Sequence, residues 1–173
     1  TQVRDAMERL GKVEVGEYLP ILGSQEIYQY RNKLEFTFSN RRWRTSEELA
    51  SLPEGLGDAD NSGLGFHIPG KFDKVLDIEE CYLGNELSNR IRNFVRAYCL
   101  ERIERYPFYD LRAQEGGMRT LMIRTTSKGH TMVLVAFSHE KAHDREELLA
   151  AIHHEFPEVN SLLYVINTKL NDT

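Results

Sequence analysis

The chain has 173 residues, with a hydrophobic fraction of 40%, a charged fraction of 28% and a formal net charge of -5. This composition excludes a disordered or fibrous protein, and the net acidity excludes a protein that coats nucleic acid by overall positive charge. With two cysteines and no apolar run near the roughly 20 residues of a membrane helix, the sequence predicts a cytoplasmic protein without a disulfide framework.

The first half of the sequence predicts one helix followed by an antiparallel arrangement of strands. Val3, Met7 and Leu10 recur at helical spacing before Gly11, which predicts an amphipathic helix over 2–10. The next predicted elements are a strand over 30–38, a capped turn at 45–49, a glycine-rich excursion over 53–64, and a hairpin of strands at 64–68 and 75–78.

The second half predicts a long helix over 85–105, with Leu87 and Ile91 on its apolar stripe and Arg92 largely off it. A hairpin of strands at 118–125 and 131–137 follows, then a helix that begins at Asp144 and a last strand at 162–166. Because helices and strands mix without strict alternation, we predict an α+β fold with an antiparallel or mixed sheet and a long helix.

The segment 30–38, YRNKLEFTF, alternates between two chemically different faces. The period of two predicts a buried face made of Tyr30, Leu34, Phe36 and Phe38. The opposite face presents Arg31 and Lys33. Since the protein is acidic overall, a cationic strand of this kind predicts a local contact with nucleic acid.

A second cationic segment, Arg41, Arg42, Trp43 and Arg44, places three guanidinium groups around an indole. Guanidinium groups bind phosphate, and an indole stacks on unpaired bases, so this composition favours single-stranded RNA. The alternative is an ordinary solvated surface.

Residues 139–143 match the HExxH pattern of zinc metalloproteases. That chemistry needs both histidines on one face of a helix, whereas here the helix is predicted to begin only at Asp144. His139 and His143 would then lie in a loop, so we expect exposed loop histidines rather than a zinc hydrolase.

Three motifs in order, YRNKLEF at 30–36, GFH at 65–67 and VLDIEECYL at 75–83, are followed by the long helix. Over nearly the whole chain this pattern resembles the RNA 5-methyluridine (uracil-C5) methyltransferases. The resemblance implies that 1–173 is the central domain of a larger multidomain enzyme acting on 23S ribosomal RNA or on transfer RNA. An OB-like RNA-binding domain upstream and an S-adenosylmethionine-binding domain downstream would be absent from this fragment.

The resemblance also implies roles for particular residues. Arg31 and Lys33, with Phe66 and His67, match the part of the family that faces RNA and the target uridine. Cys81 matches the fourth ligand of a [4Fe-4S] cluster that many members hold, whose other three cysteines would precede this chain. From the residues alone, Cys81 is also compatible with a small buried side chain.

In this family a cysteine thiolate attacks C6 of a flipped-out uracil, and C5 then accepts the methyl group. Neither Cys81 nor Cys99 has the sequence context of that nucleophile, and Cys99 is predicted to be structural. We therefore expect no catalytic residue and no activity in this chain alone, a monomer, and no membrane partner. The alternative is a non-enzymatic RNA- or protein-binding module.

Overall fold

In the described part of the chain, six strands form one sheet, and two long helices pack on the same face of it. The computed structural model describes residues 2–53, 55 and 58–170. The helices are α1 (Gln2–Asp5), α2 (Ser46–Ala50), α3 (Asp58–Asn61), α4 (Glu86–Leu100) and α5 (Ala142–Glu155). The strands are β1 (Lys33–Ser39), β2 (Gly63–Ile68), β3 (Lys71–Asp77), β4 (Met118–Thr125), β5 (Thr131–Phe137) and β6 (Val159–Ile166).

The strand order is β3-β2-β1-β4-β5-β6. All neighbours are antiparallel except β5 and β6, which are parallel because α5 crosses over between them. The α+β fold with a mixed sheet is thus confirmed. Within the part of the chain that the structure describes, no helix is long and apolar enough to cross a membrane.

The alternation predicted for β1 is present in the structure. Leu34, Phe36 and Phe38 are buried, and the first two lie opposite Ile123 and Leu121 of β4. Helices α4 and α5 supply the other side of this core through Ile91, Val95, Leu148 and Ile152. Burial of apolar side chains between the helices and the sheet stabilises the fold.

Helix α4 begins after Asn85, whose side chain accepts a hydrogen bond from the N–H of Ser88, and it is shorter than predicted. The prediction for Arg92 was wrong, since this side chain is 0% exposed. Its guanidinium lies 5.8 Å from the centre of the Phe36 ring, and its Nη1 donates to the carbonyl of Leu64 at 3.4 Å. Burial lowers the pKa of Arg92 to about 10.

Asp77, at the end of β3, binds arginines from two other parts of the chain. Its carboxylate accepts hydrogen bonds from Nε and Nη2 of Arg96 at 2.7 and 2.5 Å and lies 3.3 Å from Nη1 of Arg42. It also accepts the N–H of Leu64 at 3.1 Å. Asp77 therefore ties the outer strands to α4.

The predicted N-terminal helix exists as α1 continued by a π-helical segment, Ala6–Leu10. Its apolar residues Val3, Met7 and Leu10 are exposed, so no described residue covers the predicted apolar face. Tyr30 was predicted to be buried but is 63% exposed, because β1 begins only at Lys33.

One further predicted element is confirmed, and one helix begins at a different residue from the one predicted. The capped turn is confirmed, with Thr45 and Glu48 forming a reciprocal capping box at α2. Helix α5 begins at Ala142, two residues before Asp144, whose carboxylate binds Arg105 instead of capping the helix. Of the predicted excursion over 53–64, residues 54, 56 and 57 lie outside the described residues.

Candidate nucleic-acid interface

A surface groove of about 240 Å³ brings together three of the residues predicted to contact RNA. Arg31, Lys33 and Phe66 line this groove together with Leu34 and Glu35, and we call it the basic groove. Phe66 on β2 contributes its ring to the groove and also contacts Phe36 on β1, with the two ring centres 5.1 Å apart. The groove thus combines two cations with an aromatic ring.

The two cations of the basic groove differ in their partners. Lys33 forms an ion pair with Glu35 at 2.9 Å, and both side chains are close to half exposed. Arg31 is exposed, and it forms no ion pair with a carboxylate of the described residues. An exposed ion pair contributes about 0–1 kcal/mol, so a phosphate can replace Glu35 at little cost.

Arg31 is held in place through its backbone rather than its side chain. Its N–H donates to the carbonyl of Leu83 at 2.9 Å, and the N–H of Gln29 donates to the carbonyl of Tyr82 at 2.8 Å. These two bonds fix the segment before β1 against the connection between β3 and α4. The guanidinium remains available to a ligand.

The second predicted cluster, residues 41–44, is dispersed by ion pairs. Arg41 lies 3.9 Å from Asp73 and 3.5 Å from Asp110, while Arg42 pairs with Asp77 on β3. The three guanidinium groups therefore do not surround the indole as one cationic surface. Their role in RNA binding stays a prediction.

The carboxylates beside Arg41 are strongly acidic. A hydrogen bond from Arg112 at 2.6 Å holds the pKa of Asp73 below its usual range. Burial would raise the pKa of Asp110, but hydrogen bonds from Asn40 and from backbone N–H groups outweigh it and bring this pKa to about 2. Both carboxylates are ionised at neutral pH and neutralise Arg41.

Arg44 and Trp43 also have partners within the protein. Nη1 of Arg44 donates to Oδ1 of Asn61 at 3.3 Å, and its Nη2 donates to the carbonyl of Asp60. The backbone N–H of Trp43 donates to the carbonyl of Val75 at 2.7 Å, and the indole is half-buried.

A separate groove of about 420 Å³ lies beside α2 and α4. Its described lining includes Arg42, Arg44 and Arg96 as well as Glu48 and Asp60, so positive and negative charges partly cancel there. None of these residues lines the basic groove. The structure thus separates the two cationic segments that the sequence places close together.

His67 is exposed and follows Phe66 on β2. Because side chains alternate along a strand, His67 points to the opposite side of the sheet from Phe66. His67 is not among the residues that line the basic groove, although the groove includes side chains from both faces of β1.

Cys81 is 6% exposed and belongs to the hydrophobic core. Asn89 fixes its backbone, accepting the N–H at 2.9 Å and donating to the carbonyl at 3.3 Å. Among the described residues no group of three or more metal-ligating side chains exists, and Cys99 is buried in α4. A four-thiolate cluster does not fit the described residues by themselves, and a ligand role for Cys81 stays a prediction.

The two histidines of the HExxH match do not share a helix. His139 lies before α5, and its Nδ1 is 2.7 Å from the hydroxyl of Ser138. His143 lies in the first turn of α5, where its Nε2 is 3.8 Å from Glu147. His139 thus lies outside the helix as predicted, whereas the predicted loop placement of His143 was wrong, because α5 begins earlier than expected.

Sequence reasoning missed two exposed aromatic residues beside the basic groove. Tyr28 and Tyr82 are 59% and 62% exposed, and their ring centres are 6.0 Å apart. No local pattern predicts this contact, because the two residues are far apart in sequence. The backbone bonds of Gln29 and Arg31 join the two chain segments that carry these tyrosines.

Two cations and an aromatic ring in one surface groove of an α+β domain define a candidate nucleic-acid-binding domain. No protein-family profile matches the chain. It is 60% identical to an uncharacterized RNA methyltransferase of Porphyromonas gingivalis, over 99% of this chain and 37% of that protein. It is 50% identical to a second uncharacterized RNA methyltransferase, from Bacteroides thetaiotaomicron, with the same shares covered. The chain belongs to this family of RNA methyltransferases and spans about a third of the length of these relatives.

The fold is also found in a solved structure. It is similar, at a TM-score of 0.61 and 19% identity, to part of the Pyrococcus abyssi tRNA (uracil-54, C5)-methyltransferase in complex with S-adenosyl-L-homocysteine. The similarity covers 98% of this chain and 34% of that protein. At this identity the likeness shows a shared fold.

Proposed function

We propose that the protein is an S-adenosylmethionine-dependent RNA (uracil-C5) methyltransferase, in which this chain is the central, RNA-positioning domain. The observation that carries the proposal is the basic groove of Arg31, Lys33 and Phe66 in a domain whose relatives are RNA methyltransferases. The fold shared with a uracil-C5 methyltransferase supports the same target atom.

The basic groove suits a short stretch of unpaired RNA. Arg31 and Lys33 would bind successive phosphates, and Phe66 offers a ring edge or face to a base. Because the whole chain carries a net charge of -5, binding would be confined to this site. Such a site positions RNA rather than attracting it from a distance.

Methyl transfer itself would use residues outside this chain. The family chemistry needs an accessible thiolate, while Cys81 and Cys99 are both buried. S-adenosylmethionine would likewise bind outside the described residues and supply the methyl group. We propose 23S ribosomal RNA as the first substrate to test and transfer RNA as the second.

The enzymatic proposal is tested with the full-length protein, S-adenosylmethionine labelled in its methyl group, and unmodified transcripts of both RNAs. We expect labelled 5-methyluridine in the nuclease digest of one RNA. Label on another base or another atom would refute the uracil-C5 assignment. Binding of RNA without any methyl transfer would favour a non-enzymatic RNA-binding module.

The positioning role is tested separately by the salt dependence of RNA binding. Each phosphate contact to a single strand contributes about 0.7 to the slope of log K against log salt concentration. Arg31→Ala should therefore lower the slope by about 0.7, whereas Arg90→Ala on α4 should leave it unchanged. Equal slopes for Arg31→Ala and the parent protein would remove Arg31 from the site.

A further inference from the structure

We propose that Tyr28 and Tyr82 form a base-stacking platform that extends the basic groove for unpaired RNA bases. This inference rests on the proposed RNA-binding function. The rings are 6.0 Å apart and tilted by 56°, and each is about three-fifths exposed. Aromatic faces at this exposure are the surfaces on which single-stranded bases stack.

The platform adjoins the backbone of Arg31, which lines the basic groove. The N–H of Arg31 donates to the carbonyl of Leu83, the residue after Tyr82, while Gln29, the residue after Tyr28, donates to Tyr82 itself. Two backbone bonds of 2.8 and 2.9 Å thus join the segment of Tyr82 to the segment that carries both Tyr28 and Arg31. A strand of RNA with a phosphate on Arg31 would carry its neighbouring base toward the tyrosines.

The local charge favours bases over phosphates at the platform. The hydroxyl of Tyr82 hydrogen-bonds Glu80, which together with the charge of that carboxylate raises the pKa of Tyr82. The hydroxyl is therefore protonated at neutral pH, and a phosphate would be repelled by Glu80. An uncharged base can approach the ring faces without that repulsion.

The exposed apolar residues further upstream have a different chemistry. Leu19, Ile21 and Leu22 are aliphatic and more exposed than the tyrosines, and aliphatic side chains offer no ring face to a base. A protein segment is a suitable partner for such residues. The aromatic character and the neighbouring Arg31 distinguish the platform from them and point to RNA.

The test uses the full-length protein and a fluorescein-labelled oligouridine of about 12 nucleotides, within the site sizes of single-strand binders. Removing one stacking ring typically weakens binding by about 5-fold to 100-fold. Tyr28→Leu and Tyr82→Leu should each lose affinity within this range without a change in the salt slope. Tyr82→Phe should bind like the parent, because it keeps the ring and loses only the hydroxyl.

Two controls separate stacking from other effects. Tyr164→Leu removes a tyrosine on β6 that is about half exposed and should leave binding unchanged. With an abasic oligonucleotide of the same length, the tyrosine variants and the parent should bind equally, since no base is present to stack. Thermal unfolding without RNA should be the same for all variants.

The outcomes distinguish the platform from the function it rests on. Parental affinity of both tyrosine variants, with a lower salt slope for Arg31→Ala, would overturn the platform and leave the RNA-binding proposal intact. The platform would also be overturned if the tyrosine variants lost the same affinity for oligouridine and for the abasic oligonucleotide. A loss of thermal stability in these variants that accompanies their loss of affinity would overturn it as well. Absence of RNA binding by the parent protein would overturn both.

Discussion

Replacing Asp77 by alanine is expected to be among the more damaging single substitutions of a charged residue in this chain. The carboxylate is almost fully buried and accepts two hydrogen bonds from Arg96, while Nη1 of Arg42 lies 3.3 Å away. Its charge also offsets that of the buried Arg92. Without Asp77 these arginines lose their shared anion.

The size of the effect follows from which arginines can reach water. Removing one partner of a buried ion pair typically costs about 3–5 kcal/mol. Arg42 and Arg96 are partly exposed and can turn outward, whereas Arg92 cannot. We therefore expect Asp77→Ala to lower the free energy of unfolding by about 3 kcal/mol, the lower end of this range. For a chain of this size, that loss lowers the melting temperature by about 6–12 °C.

The assay is thermal unfolding of the chain followed by circular dichroism. Glu158→Ala is the matched control, because its ion pair with Arg90 is exposed and worth less than about 1 kcal/mol. Arg92→Met in the Asp77→Ala background should recover part of the loss, since it removes the stranded charge. The reasoning would be refuted if Asp77→Ala lowered the melting temperature no more than Glu158→Ala does. It would also be refuted if Arg92→Met restored none of the stability lost in Asp77→Ala.

Two further predictions concern a close backbone contact and acid stability. Gly65→Ala should lower the free energy of unfolding by about 3 kcal/mol, because the added Cβ would lie 1.8 Å from the carbonyl oxygen of Leu76 on β3. Gly16→Ala is the control, because Gly16 lies in open space, and it should change the free energy of unfolding by less than about 0.5 kcal/mol. Hydrogen bonds from Arg105 lower the pKa of Glu147 from its ordinary 4.5 to about 2. A carboxylate whose pKa is lower in the folded than in the unfolded protein stabilises the fold fully when the pH is above the unfolded-state pKa. This stabilisation is lost as the pH falls through the folded-state pKa. The melting temperature should therefore fall between pH 4.5 and 2, less steeply for Glu147→Gln, and identical pH profiles for that variant and the parent would contradict the assignment.

Secondary structure was the more predictable level of this protein. Leu34, Phe36 and Phe38 alternate with polar residues, and this alternation alone identifies a strand with one buried face. The hairpin of β4 and β5 was predicted with its observed bounds, because its turn residues and β-branched runs act over short distances. Local patterns succeed where the structural cause is also local.

The basic groove was predictable in part. Arg31, Lys33 and Phe66 were named from motifs of the sequence, and the structure brings them into one groove. His67 was named by the same reasoning, yet it lies on the other side of the sheet from Phe66. A motif names neighbouring residues together, whereas the tertiary structure decides which of them reach one groove.

By itself the sequence determined the fold class, the core positions of β1 and the resemblance to RNA methyltransferases. The tertiary structure decided that Arg92 is buried, that residues 41–43 pair with carboxylates and Val75, and that Tyr28 meets Tyr82. Each of these outcomes depends on chain segments far apart in sequence. Such contacts form only when the sheet and α4 fix where those segments meet, so no local pattern of residue types can encode them.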